Sequence, residues 1–256
     1  MNILVCIKRV PDIGAKVELT EDRRAIVTRN LGFTISPHEE CAVEEAVQRV
    51  EKDGGVSTVL TLGPAGAEEQ LRDSLARGVE RGVLLEVEDK EWDPGETAQA
   101  VVEAIRAGER QGEPYDLLLF GNEAADTGDF QVGVRVAHAL GLPCVTGIKD
   151  LEISGGTAVC KREVEAGWEV YEVPLPAVIT VKEGINLPRY PSLRGTMKAK
   201  KKPVDRSRPE RTGAALRMQE LRHPPEQGKQ VEMLGRGAEA APKVVELLRS
   251  LEVIPS

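Results

Sequence analysis

The sequence predicts an α/β protein with a doubly wound, mainly parallel sheet, helices on both faces, antiparallel edge strands and an extended C-terminal arm. Three observations carry that expectation. Over roughly the first 140 residues, short β-branched runs alternate with amphipathic segments of helix length, the rhythm of a parallel sheet covered on both sides. After "GLPCVTGI" the runs shorten and are broken by Gly-Gly, Ala-Gly and Pro, as in antiparallel strands. From about Pro191 the chain turns basic, proline-punctuated and poorly periodic.

Taken in order, "NILVCIK" (2–8) reads as a buried strand and "KVELTEDRRAIVTR" (16–29) as a hairpin-like excursion. "SPHEECAVEEAVQRVEKDGG" carries a full helix signature. Ser36 caps, Pro37 takes the first helical position, Glu39 completes a capping box and Gly54-Gly55 ends the run. Strands follow at 56–63, 82–87 and 115–121, with helices at 65–77, 95–107 and 130–140. "LEIS", "TAVCKREV", "WEVYEV" and "PAVITV" read as antiparallel strands extending the sheet edge. Only "APKVVELLRSLEVI" in the last part looks helical. The expected organisation is an α/β domain over 1–190, a proline-punctuated loop with a lysine cluster over 191–203, and an arm over 204–256. The arm either packs on another subunit or is a disordered tail.

Composition narrows the function classes. With 256 residues, 41% hydrophobic and 30% charged, the chain buries a sizeable core. A net charge of −8 excludes bulk attraction to nucleic acid, and aromatics at 3% leave few rings for stacking. The four cysteines Cys6, Cys41, Cys144 and Cys160 contain no C-x-x-C pair, which argues against zinc or a dithiol centre and for buried small hydrophobes in a reducing compartment. The N-terminus enters a strand directly, without a leader pattern, and no apolar stretch reaches membrane-spanning length. The expectation is a cytoplasmic protein with no direct membrane insertion.

The usual catalytic arrangements are missing, and so are metal-ligand clusters. His38, His138 and His223 lie in different elements, and only His38 stands near a strand-end crevice. Three strand ends carry glycine or open into loops: Cys6-Ile7-Lys8, Leu62-Gly63-Pro64 and "FGNEAADTGDFQVG" (120–133). In an open parallel sheet, ligands bind beyond the carboxyl ends of the strands where their order reverses. In the third segment Gly121 lets the chain turn and Gly128 permits an unusual backbone angle. The amides of Phe130, Gln131 and Val132 open a helix able to hold a phosphate. Asp126 and Asp129 suit that role only if they point away or cap the helix. On residue chemistry alone, a nucleotide site and an ordinary strand-to-helix turn both remain open.

"VCIKRVPD", "SPHEECAVEEAV", "LGPAGAEEQLRDSLARG", "GNEAADTGDFQVG", "LPAVITV" and "NLPRYPSLRGTMKAKKK" occur in the order found in the beta subunit of electron transfer flavoproteins, which the chain resembles over about residues 1–203. The resemblance implies a non-enzymatic electron carrier, in which an alpha subunit holds the redox-active FAD and the beta subunit a buried AMP. Positions similar to the AMP contacts are Cys6, Ser36, Leu62, Gly121, Asp126, Asp129, Phe130, Gln131 and Val132. The beta subunit also borders the FAD around Val10 to Gly14, where Ile13 stands in place of the tyrosine of some relatives. "RYPSLRGTMKAKKK" resembles the recognition loop that anchors acyl-CoA dehydrogenases of fatty acid oxidation. Leu193 matches its apolar tip, flanked by Tyr190, Arg194, Met197 and Lys198. Lys198, Lys200, Lys201 and Lys202 either steer acidic partners or form a solvated face, and without the resemblance Leu193 would read as folded onto its own domain. Electrons would pass to a membrane quinone oxidoreductase. Two alternatives stand beside this reading. One is an electron-bifurcating flavoprotein whose beta subunit binds its own FAD and takes hydride from NADH; "QVG" is reminiscent of that type, whereas a bulky Phe130 filling the site favours AMP. The other is a stand-alone adenine-nucleotide sensor.

Overall fold

The structure, a computed structural model, describes residues 1–12, 14, 16–88, 92–213, 215–225 and 233–254. Its centre is a sheet built from β1 (Asn2–Ile7), β4 (Val56–Gly63), β5 (Arg81–Glu86), β6 (Leu117–Gly121), β7 (Cys144–Ile148), β11 (Ala177–Val181) and β12 (Val204–Ser207). The order is β12-β5-β4-β1-β6-β11-β7, and every neighbouring pair is parallel. A two-residue ribbon joins β2 (Val10–Pro11) to β3 (Phe33–Thr34), and β8 (Asp150–Ser154), β9 (Thr157–Val164) and β10 (Gly167–Pro174) form an antiparallel sheet of their own.

Strand alternation sends successive side chains to opposite faces, each covered by two helices. Ile3, Val5 and Ile7 pack with Val43 and Val47 of α1 (Pro37–Asp53) and Leu71 and Leu75 of α2 (Glu68–Arg77). Leu4, Cys6, Leu118 and Phe120 pack on the other side, with Val101 and Ile105 of α3 (Pro94–Arg110) and Val136 of α4 (Val132–Leu140). The sheet is therefore doubly wound, as the alternation predicts. The antiparallel sheet joins the first of these cores through Leu151, Ala158 and Cys160.

Helix starts follow their caps closely. Ser36 caps α1 in a reciprocal capping box with Glu39, and Asp93 does the same for α3 with Glu96; both helices have proline in the first turn. The excursion at 16–29 closes through a single antiparallel bridge, Leu19 to Ile26. Cys6, Cys41 and Cys160 are buried and Cys144 half-buried, all free thiols.

The structure corrects several expectations. "PAVITV" is not an antiparallel edge strand: β11 lies inside the parallel sheet between β6 and β7, all five of its residues buried. An unbroken apolar run is the mark of such a strand, whereas half-exposed edge strands alternate. "CVTGI", taken only as a boundary, is the edge strand β7. "VDRS" is the other edge, β12, paired with β5 and giving the core a single apolar residue, Val204. The helix expected at 130–140 begins at Val132, with Gln131 at the cap position. The proline-flanked loop after Tyr190 is in part a short helix, α5 (Leu193–Ala199), capped by the Ser192 hydroxyl accepting from the Gly195 N–H.

The chain divides into two compact units, 1–219 and 220–256. Within the second, α6 (Ala241–Ser250) follows a short 3₁₀ turn, and Val244, Val245 and Leu247 are exposed. No helix among the described residues is long and apolar enough to cross a membrane.

Candidate functional site: a strand-end crevice and an exposed apolar segment

The chain runs from β1 outward to β4 and β5, then returns to place β6 on the other side of β1. The strand order therefore reverses between β1 and β6, where Cys6 stands opposite Phe120. Beyond their carboxyl ends is the place where doubly wound sheets form a crevice for nucleotides. Cys6 and Gly121 flank it directly, Leu62 comes from the end of β4, and Ser36 starts α1 over it.

Two glycines set its dimensions. A Cβ on Gly121 would lie 2.7 Å from Glu39 Cγ and 3.2 Å from the Glu39 nitrogen, so β6 ends in glycine because α1 begins against it rather than to make a turn. A Cβ on Gly133 would meet Thr180 Cγ2 at 3.1 Å and a Phe120 ring carbon at 3.2 Å, so α4 starts hard against β6 and β11. Its first N–H groups, at Val132 and the residues after it, have no acceptor within the helix and carry the positive end of its dipole. Gly128, with φ +67°, turns the loop ahead of them.

The acidic residues in that loop are partly accounted for. Lys8 Nζ reaches Asp126 at 2.8 Å across the crevice mouth, and Asp126 also accepts from the Thr127 N–H. Asp129 accepts a long hydrogen bond, 3.4 Å, from Gln131 Nε2, while its carbonyl accepts from the Ala124 N–H. Below them Glu39 is buried. It accepts from the Lys8 N–H at 2.9 Å and the Ser36 N–H at 3.1 Å, and burial pushes its pKa up to about 8 against those bonds. Burial, together with Glu39, also raises the Cys6 thiol, so Cys6 is a neutral wall and not a nucleophile.

The donor set fits a phosphate group beside a mostly apolar wall: helix N–H groups for the phosphate, Cys6 and Leu62 beside them, and Asp126 paired with Lys8. Phe130 does not fill the site; it is 56% exposed, so its bulk gives no reason to exclude a larger ligand. His38 is a brace, its Nδ1 accepting from the Glu183 N–H at 2.8 Å and its Nε2 facing Glu123 at 3.3 Å. A separate cavity of about 740 Å³, between residues 33–35, α2 and α5, is lined by none of these crevice residues. No group of three or more His, Cys, Asp or Glu among the described residues is placed to hold a metal ion.

The second region exposes apolar side chains instead of hiding polar ones. Leu187 is 89% exposed, Tyr190 93%, Leu193 80% and Met197 68%. Leu193 and Met197, four residues apart, share a face of α5, with Arg194 and Lys198 exposed beside them. Leu193 is not folded onto its own domain.

A model of the electron transfer flavoprotein domain matches residues 24–211. The chain is 37% identical over 257 residues to electron transfer flavoprotein subunit beta of Bacillus subtilis (strain 168), covering 98% of each chain. It is 34% identical over 217 residues to the Homo sapiens subunit of that name, covering 84% of each. It belongs to the electron transfer flavoprotein beta-subunit family. A further relative, 35% identical over 205 residues, is the caffeyl-CoA reductase-Etf complex subunit CarD of Acetobacterium woodii, with 80% of this chain and 77% of that one covered. Electron transfer with flavin involvement follows from that membership.

Of the positions resembling the family's nucleotide contacts, Cys6, Ser36, Leu62, Gly121, Asp126 and Val132 come from elements that converge on the switch point. Gln131 sits at the cap and Phe130 is turned to solvent. Ile13, expected near the flavin, lies outside the described residues. Lys202 corrects the expectation of a uniform cationic cluster. Its Nζ donates to the Leu75 and Val79 carbonyls at 2.9 and 2.6 Å, ending α2, and burial lowers its pKa. Sequence reasoning included Lys8 and Gly133 in the strand-end segments without giving either a role, and did not place Glu39 in the crevice. Lys8 and Gly133 were legible only as the ends of quoted motifs, and Glu39 only as a cap.

Proposed function

We propose that the chain is the beta subunit of a heterodimeric electron carrier that holds a structural AMP, borders the FAD of its alpha subunit around Val10 to Gly14, and docks dehydrogenases through Leu193. What carries the reading is the pairing of two features in one family member: a phosphate-sized donor set at the switch point and an apolar helix tip held in water. The FAD supplies the redox chemistry. This chain's residues bind and orient. The α4 N–H groups hold the phosphate, Lys8 offsets Asp126, and Cys6 and Leu62 keep water from the base. Of the arm expected over 204–256, the start belongs to the central sheet as β12, and the unit 220–256 packs on the alpha subunit; the assembly works in the cytoplasm without being an enzyme itself.

Burying Leu193 in a partner pocket contributes about 1.5–3 kcal/mol, enough to dock and weak enough to release. The donors are acyl-CoA and related dehydrogenases, and the acceptor is a membrane quinone oxidoreductase. Leu193→Ala in the assembled heterodimer is expected to impair electron transfer from a dehydrogenase while nucleotide content and flavin spectrum stay the same. Unaltered transfer kinetics would remove the docking role.

One observation favours a second reading. The exposed Phe130 offers a ring at the crevice lip to a larger planar ligand, as an electron-bifurcating beta subunit with its own FAD would use.

A further inference from the structure

An apolar tip in water is useful for docking only if it is held in one shape, since every residue ordered on binding subtracts from affinity. The segment carrying Leu187, Tyr190, Leu193 and Met197 has little apolar burial of its own, yet it is anchored on both sides. On its C-terminal side Arg72 Nη1 donates to the Ala199 and Lys202 carbonyls, both at 2.7 Å, and Lys202 is fixed to α2 as described. α5 lies so close on α2 that a Cβ on Gly195 would stand 2.3 Å from the Ala76 carbonyl oxygen.

On the N-terminal side Asn186 Nδ2 donates to the Cys41 carbonyl at 3.0 Å and to Glu45 at 3.1 Å, and Arg189, next to Tyr190, makes the larger set of bonds. Arg189 Nε and Nη2 both reach Glu44 at 2.9 Å, Nη1 and Nη2 reach Glu51 at 2.6 and 2.9 Å, and the Arg189 N–H donates to Glu44 at 3.1 Å. Glu44 is buried on α1 and Arg189 only partly exposed. Burial alone would raise the Glu44 carboxyl, but the Arg189 bonds, with one from Gln48, hold it below its usual range. Two carboxylates two turns apart on α1 thus grip a single guanidinium, side chain and backbone together. Pro188 and Pro191 flank it and stiffen the chain on each side.

We propose that Arg189 is the positioning residue of the docking surface: clamped to Glu44 and Glu51, it sets where Tyr190 and Leu193 stand before a dehydrogenase arrives. The inference rests on the docking reading above. Arg189 does not itself touch the partner; it acts through Leu193.

The test uses the heterodimer assembled with its alpha subunit and reduced by an acyl-CoA dehydrogenase, with carrier concentration varied. Arg189→Ala is expected to raise the KM for the carrier roughly tenfold with kcat nearly kept, because only the shape of the encounter surface is lost. Arg189→Lys, which keeps the charge but cannot make the fork, should raise it roughly threefold. Flavin spectrum and bound nucleotide should not change. Because Arg189 acts through Leu193, Arg189→Ala should add almost nothing in a Leu193→Ala background. A KM unchanged in both Arg189 variants while Leu193→Ala raises it, a loss confined to kcat, or additive effects in the double variant would overturn the clamp and leave docking intact. If Leu193→Ala also leaves KM unchanged, the docking reading fails and the inference with it. Should Arg189→Ala not assemble, the Arg189→Lys result decides.

Discussion

The crevice at the ends of β1 and β6 and the segment at 186–202 are built by opposite means. In the crevice, polar groups are buried and small residues let elements meet: Ser36 and Glu39 are buried at the start of α1, with Gly121 and Gly133 at the contacts. Along 186–202, large apolar groups stay in water and charged groups turn inward, Arg189 onto Glu44 and Lys202 onto the Leu75 and Val79 carbonyls. A site for a small ligand needs room and preset donors, so its specification is steric and electrostatic. A site for a transient protein partner needs exposed area that does not collapse, so its specification is in the anchors behind it.

The sharpest way to break the first region is Gly121→Val. A side chain 2.7 Å from Glu39 Cγ cannot be accommodated without moving α1. The expected loss is about 3 kcal/mol, at the upper end for overpacking, together with loss of bound nucleotide, read by denaturant unfolding and by nucleotide released on denaturation. Retained stability and nucleotide would mean that α1 does not seat on Gly121.

Glu39→Gln probes the same place through pH. The folded pKa of Glu39 is about 8 against an ordinary 4.5, so the folded chain holds the proton more tightly than the unfolded one. Its contribution is fully present below about pH 4.5 and is lost as pH rises through about 8. In that window it gives the parent a slope of up to about 1.4 kcal/mol per pH unit. Denaturant unfolding of the variant across pH 5 to 8 should lack that slope. A parent and variant with parallel pH profiles would show that Glu39 is not the titrating group.

In the second region two neighbouring lysines separate anchoring from steering. Lys202→Ala should cost about 1–2 kcal/mol, since it removes charged hydrogen bonds to the Leu75 and Val79 carbonyls, and it should slow electron transfer through a displaced α5. Lys201→Ala should leave stability within about 0.5 kcal/mol and lower the association rate by less than about tenfold, an effect fading with added salt. Equal stability losses for the two would contradict the division.

The sequence was most legible where local chemistry and tertiary packing agree. Ser36, Pro37 and Glu39 marked the start of α1 to the residue, and the apolar runs of β1, β4 and β6 marked the core strands. Legibility failed where long-range pairing decides. β11 looks like its antiparallel neighbours until its uninterrupted burial is seen, and β12, "VDRS", is a strand only because β5 offers it an edge. In the crevice, strand-end logic located Cys6 and Gly121 but misjudged why Gly121 is glycine, because α1's closeness is a tertiary fact. Phe130 was assigned an inward role by its size alone. For the apolar segment, exposure of Leu193 could be anticipated only from family resemblance. The Arg189 clamp joins residues more than a hundred positions apart, which no local pattern reports.

The central claim, a beta subunit with a single-phosphate nucleotide at the β1/β6 switch point, is tested most directly by composition. The chain is co-expressed with its alpha subunit, the heterodimer purified and denatured, and the released FAD and AMP are quantified. The account predicts one FAD and one AMP per heterodimer. Two FAD and no AMP would contradict it and make Phe130 and the loop before α4 part of a flavin site.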